Sequence, residues 1–198
     1  NNATVRKSLT ISGNGNTVYL GSPITVDKAG AVVALRGLVL NGQGTIDDGI
    51  SIVAAAAVHI ERCVIHGFTS IGIVATAPGA QVFVLDSISR DNGFAGLIIN
   101  AGSSSRLTVD NSRFENHGND GVVVASGLAT ISRSTSSGNV GRGLFVGSGA
   151  LARISNSTFT DNAIGLFNNG GTLETRQNNT VSGNGTNVSG ALTPIGGI

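Results

Sequence analysis

The sequence is poor in the residue types that most often build sugar-binding platforms, disulfides and reactive centres. It has no tryptophan, no methionine, one tyrosine (Tyr19) and one cysteine (Cys63), and only 12% of its residues are charged. The aromatic side chains on which sugar rings commonly stack are therefore scarce. A single cysteine excludes an intrachain disulfide, and its spacing places Cys63 inside the molecule, where we expect a small apolar side chain and not a reactive thiol.

Long apolar runs and clusters of one charge sign are also missing. The longest uncharged apolar stretches, such as SIVAAAAV at 51–58, fall well short of the roughly 20 residues that a membrane-spanning helix needs. Twelve basic and eleven acidic residues leave a net charge of +1, without the Lys/Arg cluster that neutralises a phosphate backbone. We therefore expect neither membrane insertion nor a nucleic-acid partner.

Glycine and small polar residues are abundant. Thirty glycines, many Asn, Ser and Thr residues and only three prolines accompany an apolar content of 40%. This composition is typical of many short β-strands separated by tight turns, since Gly and Asn tolerate a positive φ. A chain of 198 residues with this apolar content is most simply one domain with a continuous core.

A repeat of about 23 residues runs along most of the chain. Strand starts made of glycine followed by apolar residues recur every 22 to 25 residues, at Gly49, Gly72, Gly96, Gly121, Gly143 and Gly165. A second apolar track advances by the same interval, at Leu35, Ile60, Val84, Val109, Ile131 and Ile154. Because each period holds short alternating segments and turns but no helical pattern, one repeat is predicted to be one coil of a β-solenoid.

These features predict an all-β fold, a single-stranded right-handed parallel β-helix with three sheets and about eight coils of 22–25 residues. Leucine-rich repeats would show their LxxLxL consensus, and propeller blades need nearly twice this length. The chain is predicted to be one β-helix domain, 1–198. Within it we expect irregular first coils (1–32), regular coils (33–185) and a C-terminal cap or tail (186–198).

Two polar columns are predicted to stabilise the stack of coils. Asn92, Asn139, Asn162 and Asn184 recur at one turn, where asparagine can adopt the left-handed conformation and bond its amide to the next coil. We interpret this column as a structural ladder. A serine column is interpreted as a ladder of buried hydroxyl groups, not as nucleophiles; it consists of Ser87, Ser112, Ser134 and Ser157.

An apolar column is predicted to point outward from the glycine-led strands. Period-2 alternation turns Val74, Ile98, Val123, Phe145 and Phe167 away from the core over five consecutive coils. We call these five residues the apolar strip. Soluble monomers seldom leave such a patch uncovered. The strip is therefore predicted to bind a second copy of the chain, a segment outside this sequence, or an extended surface ligand such as a polysaccharide; the alternative is that the chain's own C-terminal VSGALTPIGGI covers it.

The best copies of the repeat are NSRFENHGNDGVVV (111–124) and NSTFTDNAIGLFN (156–168). They resemble the right-handed parallel β-helix proteins of the pectate-lyase-like superfold. The segments VRKSLTISGNG (5–15) and VVALRGLVLNGQG (32–44) are similar to a secreted bacterial branch without an assigned activity. The resemblance implies the fold, and it implies polysaccharide lyases, hydrolases, epimerases, tailspikes or adhesins as functional classes.

Resemblance to the enzymes of this superfold implies that carboxylates and basic residues should point outward, for Ca²⁺ binding or for acid/base catalysis. In this sequence the outward column is instead the apolar strip. One other column is polar: His66, Arg90 and Glu115 recur on consecutive coils, with Asp91 and His117 beside them. These residues are weak catalytic candidates, and the alternative is a solvated edge whose opposite charges pair between coils.

We therefore expect a non-catalytic β-helical structural or binding module, with a polysaccharide-active enzyme as the alternative. A third reading, ice binding, would need a flat rank of outward threonines, and Thr135, Thr158 and Thr180 are too few to form one. No cofactor and no metal are expected. The chain opens at NNATVRKSLTIS without a methionine, and we expect a secreted or cell-surface protein whose leader is not in this sequence.

Overall fold

A computed structural model describes residues 3–14 and 18–196, except for the side chains of residues 18 and 19. Tyr19 therefore lies outside the described side chains, and residues 1, 2, 15–17, 197 and 198 lie outside the described residues. Twenty-six β-strands in the described part form three parallel sheets, two of nine strands and one of eight. The strands succeed one another in the order first, second and third sheet, so three consecutive strands make one coil.

The strands of each sheet follow one another at every third place in the chain. The first sheet contains β1 (Ala3–Val5), β4 (Ile24–Asp27), β7 (Ile50–Ala54), β10 (Ile71–Ala75), β13 (Ala95–Ile99), β16 (Asp120–Val124), β19 (Arg142–Val146), β22 (Ile164–Asn168) and β25 (Thr186–Ser189). The second contains β2 (Leu9–Ser12), β5 (Val32–Arg36), β8 (Ala57–Glu61), β11 (Gln81–Leu85), β14 (Arg106–Asp110), β17 (Leu128–Ser132), β20 (Leu151–Ser155), β23 (Thr172–Thr175) and β26 (Thr193–Pro194). The third contains β3 (Val18–Leu20), β6 (Leu38–Asn41), β9 (Val64–His66), β12 (Ile88–Arg90), β15 (Arg113–Glu115), β18 (Thr135–Ser137), β21 (Thr158–Thr160) and β24 (Thr180–Ser182).

Eight three-strand coils result, and β25 and β26 begin a ninth. The prediction of a three-sheet parallel β-helix is confirmed. The second apolar track forms one buried column, since Leu35 pairs with Ile60 and each later member pairs with the next. Inward columns of this kind from all three sheets fill one continuous core along the axis.

Glycine is required near the start of five first-sheet strands, β7, β10, β13, β16 and β19. A Cβ built on Gly49, Gly72, Gly96, Gly121 or Gly143 would lie 2.6–2.8 Å from the backbone oxygen of the glycine one coil on. Real Cβ atoms do not approach that closely, so any larger residue would push the coils apart. The recurring glycine is therefore a consequence of close coil stacking.

At the corner between the third and first sheets, the residue that adopts the left-handed conformation is not the predicted one. The residue in the left-handed conformation is not the ladder asparagine but the residue before it, such as Asp91 (φ 54°) before Asn92 and Asp161 (φ 57°) before Asn162. The chain turns at this preceding residue. The asparagine side chain then points into the molecule, where it bonds the neighbouring coil.

Both ends of the described chain follow the same winding. At the N-terminal end, β1 pairs in register with β4, and β2 pairs with β5 of the following coil. In the segment expected to be a cap or tail, β25 pairs with β22 and β26 pairs with β23. The described part of this segment thus adds strands to the stack.

Candidate functional site

The apolar strip is one aligned column on the outer face of the first sheet. Val74 pairs with Ile98, Ile98 with Val123, Val123 with Phe145, and Phe145 with Phe167. Four of the five are half-buried, and Val123 is 8% exposed. The alignment brings together side chains that are up to 93 positions apart in the chain, and their neighbours on the sheet shield part of each one.

A buried ion pair borders the strip. Asp120, 1% exposed, accepts hydrogen bonds from the Nε (2.7 Å) and the backbone N–H (2.9 Å) of Arg142. The Arg142 guanidinium lies 4.3 Å from the centre of the Phe145 ring and 5.6 Å from that of Phe167. This arrangement combines a charge pair with cation–π contacts, and it fixes the two rings at one end of the strip.

The sequence contains a signal for this pair that its repeat alone does not reveal. Asp120 directly precedes Gly121, and Arg142 directly precedes Gly143, so opposite charges occupy the same place in consecutive repeats. In the sequence they lie beside the glycine starts that define the repeat. Coil stacking therefore places them in contact.

More exposed apolar side chains lie at the corner that leads into the first sheet. Phe94 is 44% exposed and Val140 is 72% exposed. They precede the strands that carry Ile98 and Phe145 in the same two coils. The corner therefore adds to the apolar surface beside the strip.

Above the strip, the same outward column becomes polar. Thr25 pairs with Ser51, and Ser51 pairs with Val74. Thr25, Ser51 and the carboxylates Asp47 and Asp48 line a shallow depression of about 360 Å³. Asp48 accepts the N–H of Ile71 (3.1 Å) and Asp47 accepts the hydroxyl of Thr69 (3.1 Å), so both carboxylates hold the loop in place.

The polar column on the third sheet is also aligned. His66 pairs with Arg90, and Arg90 pairs with Glu115, on the outer face. The charged groups, however, bond to other partners: Arg90 pairs with Asp91, and Glu115 accepts two hydrogen bonds from Arg113, at 2.7 and 2.9 Å. Partial burial lowers the pKa of His66, and Arg90 lowers it further, against an opposing effect of Asp91.

His117 takes the place of an asparagine in the structural ladder. Its Nδ1 accepts the backbone N–H of Asn92 (3.2 Å), and its Nε2 lies 3.1 Å from the carbonyl oxygen of Ser89. The ring is therefore neutral, with its proton on Nε2, and burial lowers its pKa to about 4. Both ring nitrogens have backbone partners.

The ladder asparagines make the same kind of bond. Asn92 accepts the N–H of Phe68, Asn139 that of His117, Asn162 that of Asn139 and Asn184 that of Asn162, at 3.0–3.1 Å. In addition, the amide of Asn139 donates to Asn162 and that of Asn162 donates to Asn184. The column thus satisfies one otherwise unpaired backbone donor in each coil.

The serine column is buried and hydrogen-bonded in the same way. Ser112 accepts the N–H of Ser87, and Ser134 accepts that of Ser112, both at 3.1 Å. Cys63 continues the column, and its thiol lies 3.4 Å from the carbonyl oxygen of Leu35. Burial raises the pKa of the Cys63 thiol, which opposes formation of the reactive thiolate.

No group of three or more His, Cys, Asp or Glu side chains is arranged to hold a metal ion in the described part of the chain. Among the same residues, the structure contains no helix long and apolar enough to cross a membrane.

Comparison with known proteins finds one family. A family model described as a right-handed beta helix region matches residues 1–186. No curated protein and no solved structure shows a significant match to the chain.

Proposed function

The chain belongs to the right-handed β-helix family, and we propose that within it this protein is a non-catalytic, secreted or cell-surface binding module that pairs with a second copy of itself through the apolar strip. The fold alone carries many unrelated functions. The proposal therefore depends on the surface of this particular chain.

The observation that carries the proposal is the alignment of five apolar side chains on the outer face of one sheet. Val74, Ile98, Val123, Phe145 and Phe167 are vertical neighbours on adjacent strands. Phe94 and Val140, at the corner that leads into the same sheet, are also exposed. A column of partly exposed apolar side chains favours a binding role.

A protein surface suits the strip better than a sugar does. Sugars need directional hydrogen bonds, and the charged pair that borders the strip, Asp120 and Arg142, is already bonded internally. The strip itself offers aliphatic side chains and two phenyl rings. Interfaces between identical subunits are more apolar than other interfaces.

A second copy of the chain carries apolar side chains at the same spacing as the strip. Strip side chains recur once per coil, at the strand spacing of roughly 4.8 Å. Two strips laid face to face have the same repeat and can interdigitate through their exposed side chains, as the inner faces of stacked sheets do. Such contact would be isologous, with the same patch on both subunits.

The hydrogen bonding of the candidate catalytic groups supports a non-catalytic role. Glu115 is held by Arg113, Arg90 pairs with Asp91, and both ring nitrogens of His117 bond the backbone. General acid/base catalysis needs a group free to exchange a proton with substrate. Among the candidates in the third-sheet column, His66 has the fewest hydrogen bonds and ion pairs to other groups.

Sedimentation velocity over a range of protein concentrations tests the proposal. We expect the wild type to form dimers and Ile98→Lys to remain monomeric, because the ammonium would be placed in the apolar interface. Thr108→Lys is the matched control, since Thr108 is a half-buried outward residue in the next strand of the same coil, on the second sheet.

Wild-type protein that stays monomeric at every concentration contradicts the proposal, as does equal dissociation of the Thr108→Lys variant. A panel of acidic and neutral polysaccharides tests the enzymatic alternative. Depolymerisation by the wild type that disappears in both Glu115→Ala and His66→Ala would favour an enzyme over a binding module.

A further inference from the structure

We propose that the turns joining the first and second sheets in the first two coils form a binding site for a compact phosphate group. The site lies away from the strip and from the third-sheet column. Seven residues line a pocket of about 300 Å³: Arg6, Lys7, Ser8, Lys28, Ala29, Gly30 and Ala31. Both lysines of the chain are among them.

Two stacked turns build the pocket. Arg6, Lys7 and Ser8 follow β1, and Lys28 follows β4 one coil further on. The hydroxyl oxygen of Ser8 accepts the N–H of Val32 at 3.0 Å, which ties the upper turn to the lower coil. Three cationic side chains separated by up to 22 positions in the sequence are thereby brought to one concave surface.

These three cations lack the carboxylate partners that most of the other arginines have. Six arginines elsewhere form ion pairs with Asp or Glu. Within the described residues, Arg6, Lys7 and Lys28 form none. Asp27 precedes Lys28 but does not line the pocket. The concave surface therefore carries an excess of positive charge that attracts anions.

The fold does not require a cation at this turn. The turn at Lys28 closes with a bond from Ala31 N–H to the Lys28 carbonyl oxygen (3.1 Å), and Gly30 adopts φ 77°. The same turn recurs further down as APGA (77–80) and GSGA (147–150), with positive-φ glycines and the same closing bond. Those two copies keep the glycine and the buried alanine but have Ala77 and Gly147 where Lys28 stands.

A phosphate group matches the site better than a single carboxylate does. Three cations favour a ligand with two or more negative charges, and lysine and arginine are the usual side chains that bind phosphate. Ser8 adds a hydroxyl donor, since its oxygen accepts from Val32 while its proton has no acceptor among the described residues. The pocket volume is at the lower end of the range for small-ligand sites, which favours a compact ligand.

Titration with inorganic pyrophosphate, followed by NMR or calorimetry, tests the proposal. The test variant replaces Arg6, Lys7 and Lys28 with glutamine. The matched control replaces Arg62, Arg106 and Arg176 with glutamine, which removes the same charge from exposed arginines that form no ion pair in the described chain. We expect roughly tenfold weaker binding in the test variant, as three exposed charge contacts imply, and little change in the control.

Trigalacturonate serves as the carboxylate probe and should bind more weakly than pyrophosphate. The proposal is overturned by a wild type that does not bind pyrophosphate, by equal losses in the two triple variants, or by tighter binding of trigalacturonate. Thermal unfolding of both variants should match the wild type, because the replaced side chains are exposed. Self-association is measured separately, so failure of either proposal leaves the other intact.

Discussion

Replacing His117 with asparagine should make the protein less sensitive to acid. The imidazole accepts the N–H of Asn92 through Nδ1, is buried, and has its pKa lowered from 6.5 to about 4. Protonation of Nδ1 would break this hydrogen bond and leave a cation inside the molecule. An asparagine can accept this N–H, since Asn139 and Asn162 accept the equivalent N–H groups of His117 and Asn139 further along the ladder.

The size of the effect follows from the difference in pKa between the folded and unfolded chain. In the unfolded chain His117 gains a proton near pH 6.5, whereas in the folded chain it does so near pH 4. The contribution of the neutral ring to the free energy of unfolding is therefore complete above pH 6.5 and is lost as the pH falls towards 4. The full loss is about 3 kcal/mol.

Urea unfolding at about pH 7.5 and about pH 4.5 measures this loss. Between these two pH values, the free energy of unfolding should fall further for the wild type than for His117→Asn, by most of the 3 kcal/mol. The titration of carboxylates lowers the stability of both proteins equally and does not contribute to this difference. The pKa of His66 is also lowered, and His66→Asn serves as the control for titration outside the ladder. Equal pH dependence in the wild type and His117→Asn would refute the assignment of His117 as a neutral member of the ladder.

Three further substitutions or treatments test other parts of the structure. Gly143→Ala would place a Cβ 2.7 Å from the carbonyl oxygen of Gly165, so thermal unfolding should show a loss of about 1–3 kcal/mol; unchanged or raised stability would contradict close stacking at the glycine column. Asp120→Ala leaves the Arg142 guanidinium without its buried partner and should cost about 3 kcal/mol in denaturant unfolding, whereas a cost near zero would mean that the pair is solvated. Cys63 should react with a thiol reagent no faster than the protein unfolds, because it is buried and its thiol pKa is raised; fast labelling of native protein would contradict this.

The sequence predicts the vertical columns well because two simple periods combine. Alternation along a strand decides which face a side chain occupies, and a coil of 22–25 residues decides which side chains become neighbours. Val74 and Ile98 could be aligned in this way without coordinates. The same holds for Leu35 and Ile60 on the second sheet.

Partner choice within a column could not be predicted in the same way. Glu115 is opposite Arg90 on the neighbouring strand, yet it bonds Arg113 two residues earlier on its own strand. Long side chains can reach either neighbour, and small differences in rotamer and solvation decide between them. Spacing alone does not contain that information.

The sequence does not predict the basic pocket, for a different reason. Arg6 and Lys28 lie in the first 32 residues, where the glycine and asparagine landmarks of the repeat are weak. Without those landmarks the two turns could not be aligned. In the structure β1 and β4 pair in register, and the turns that follow them stack.

Methyl NMR of the wild-type protein at increasing concentration tests the central claim most directly. Association through the strip predicts that the methyl resonances of Val74, Ile98 and Val123 shift with concentration. The methyls of Val32, 49% exposed on the second sheet, should not shift. Strip resonances that are independent of concentration, or Val32 resonances that shift by the same amount, would contradict the proposed pairing surface.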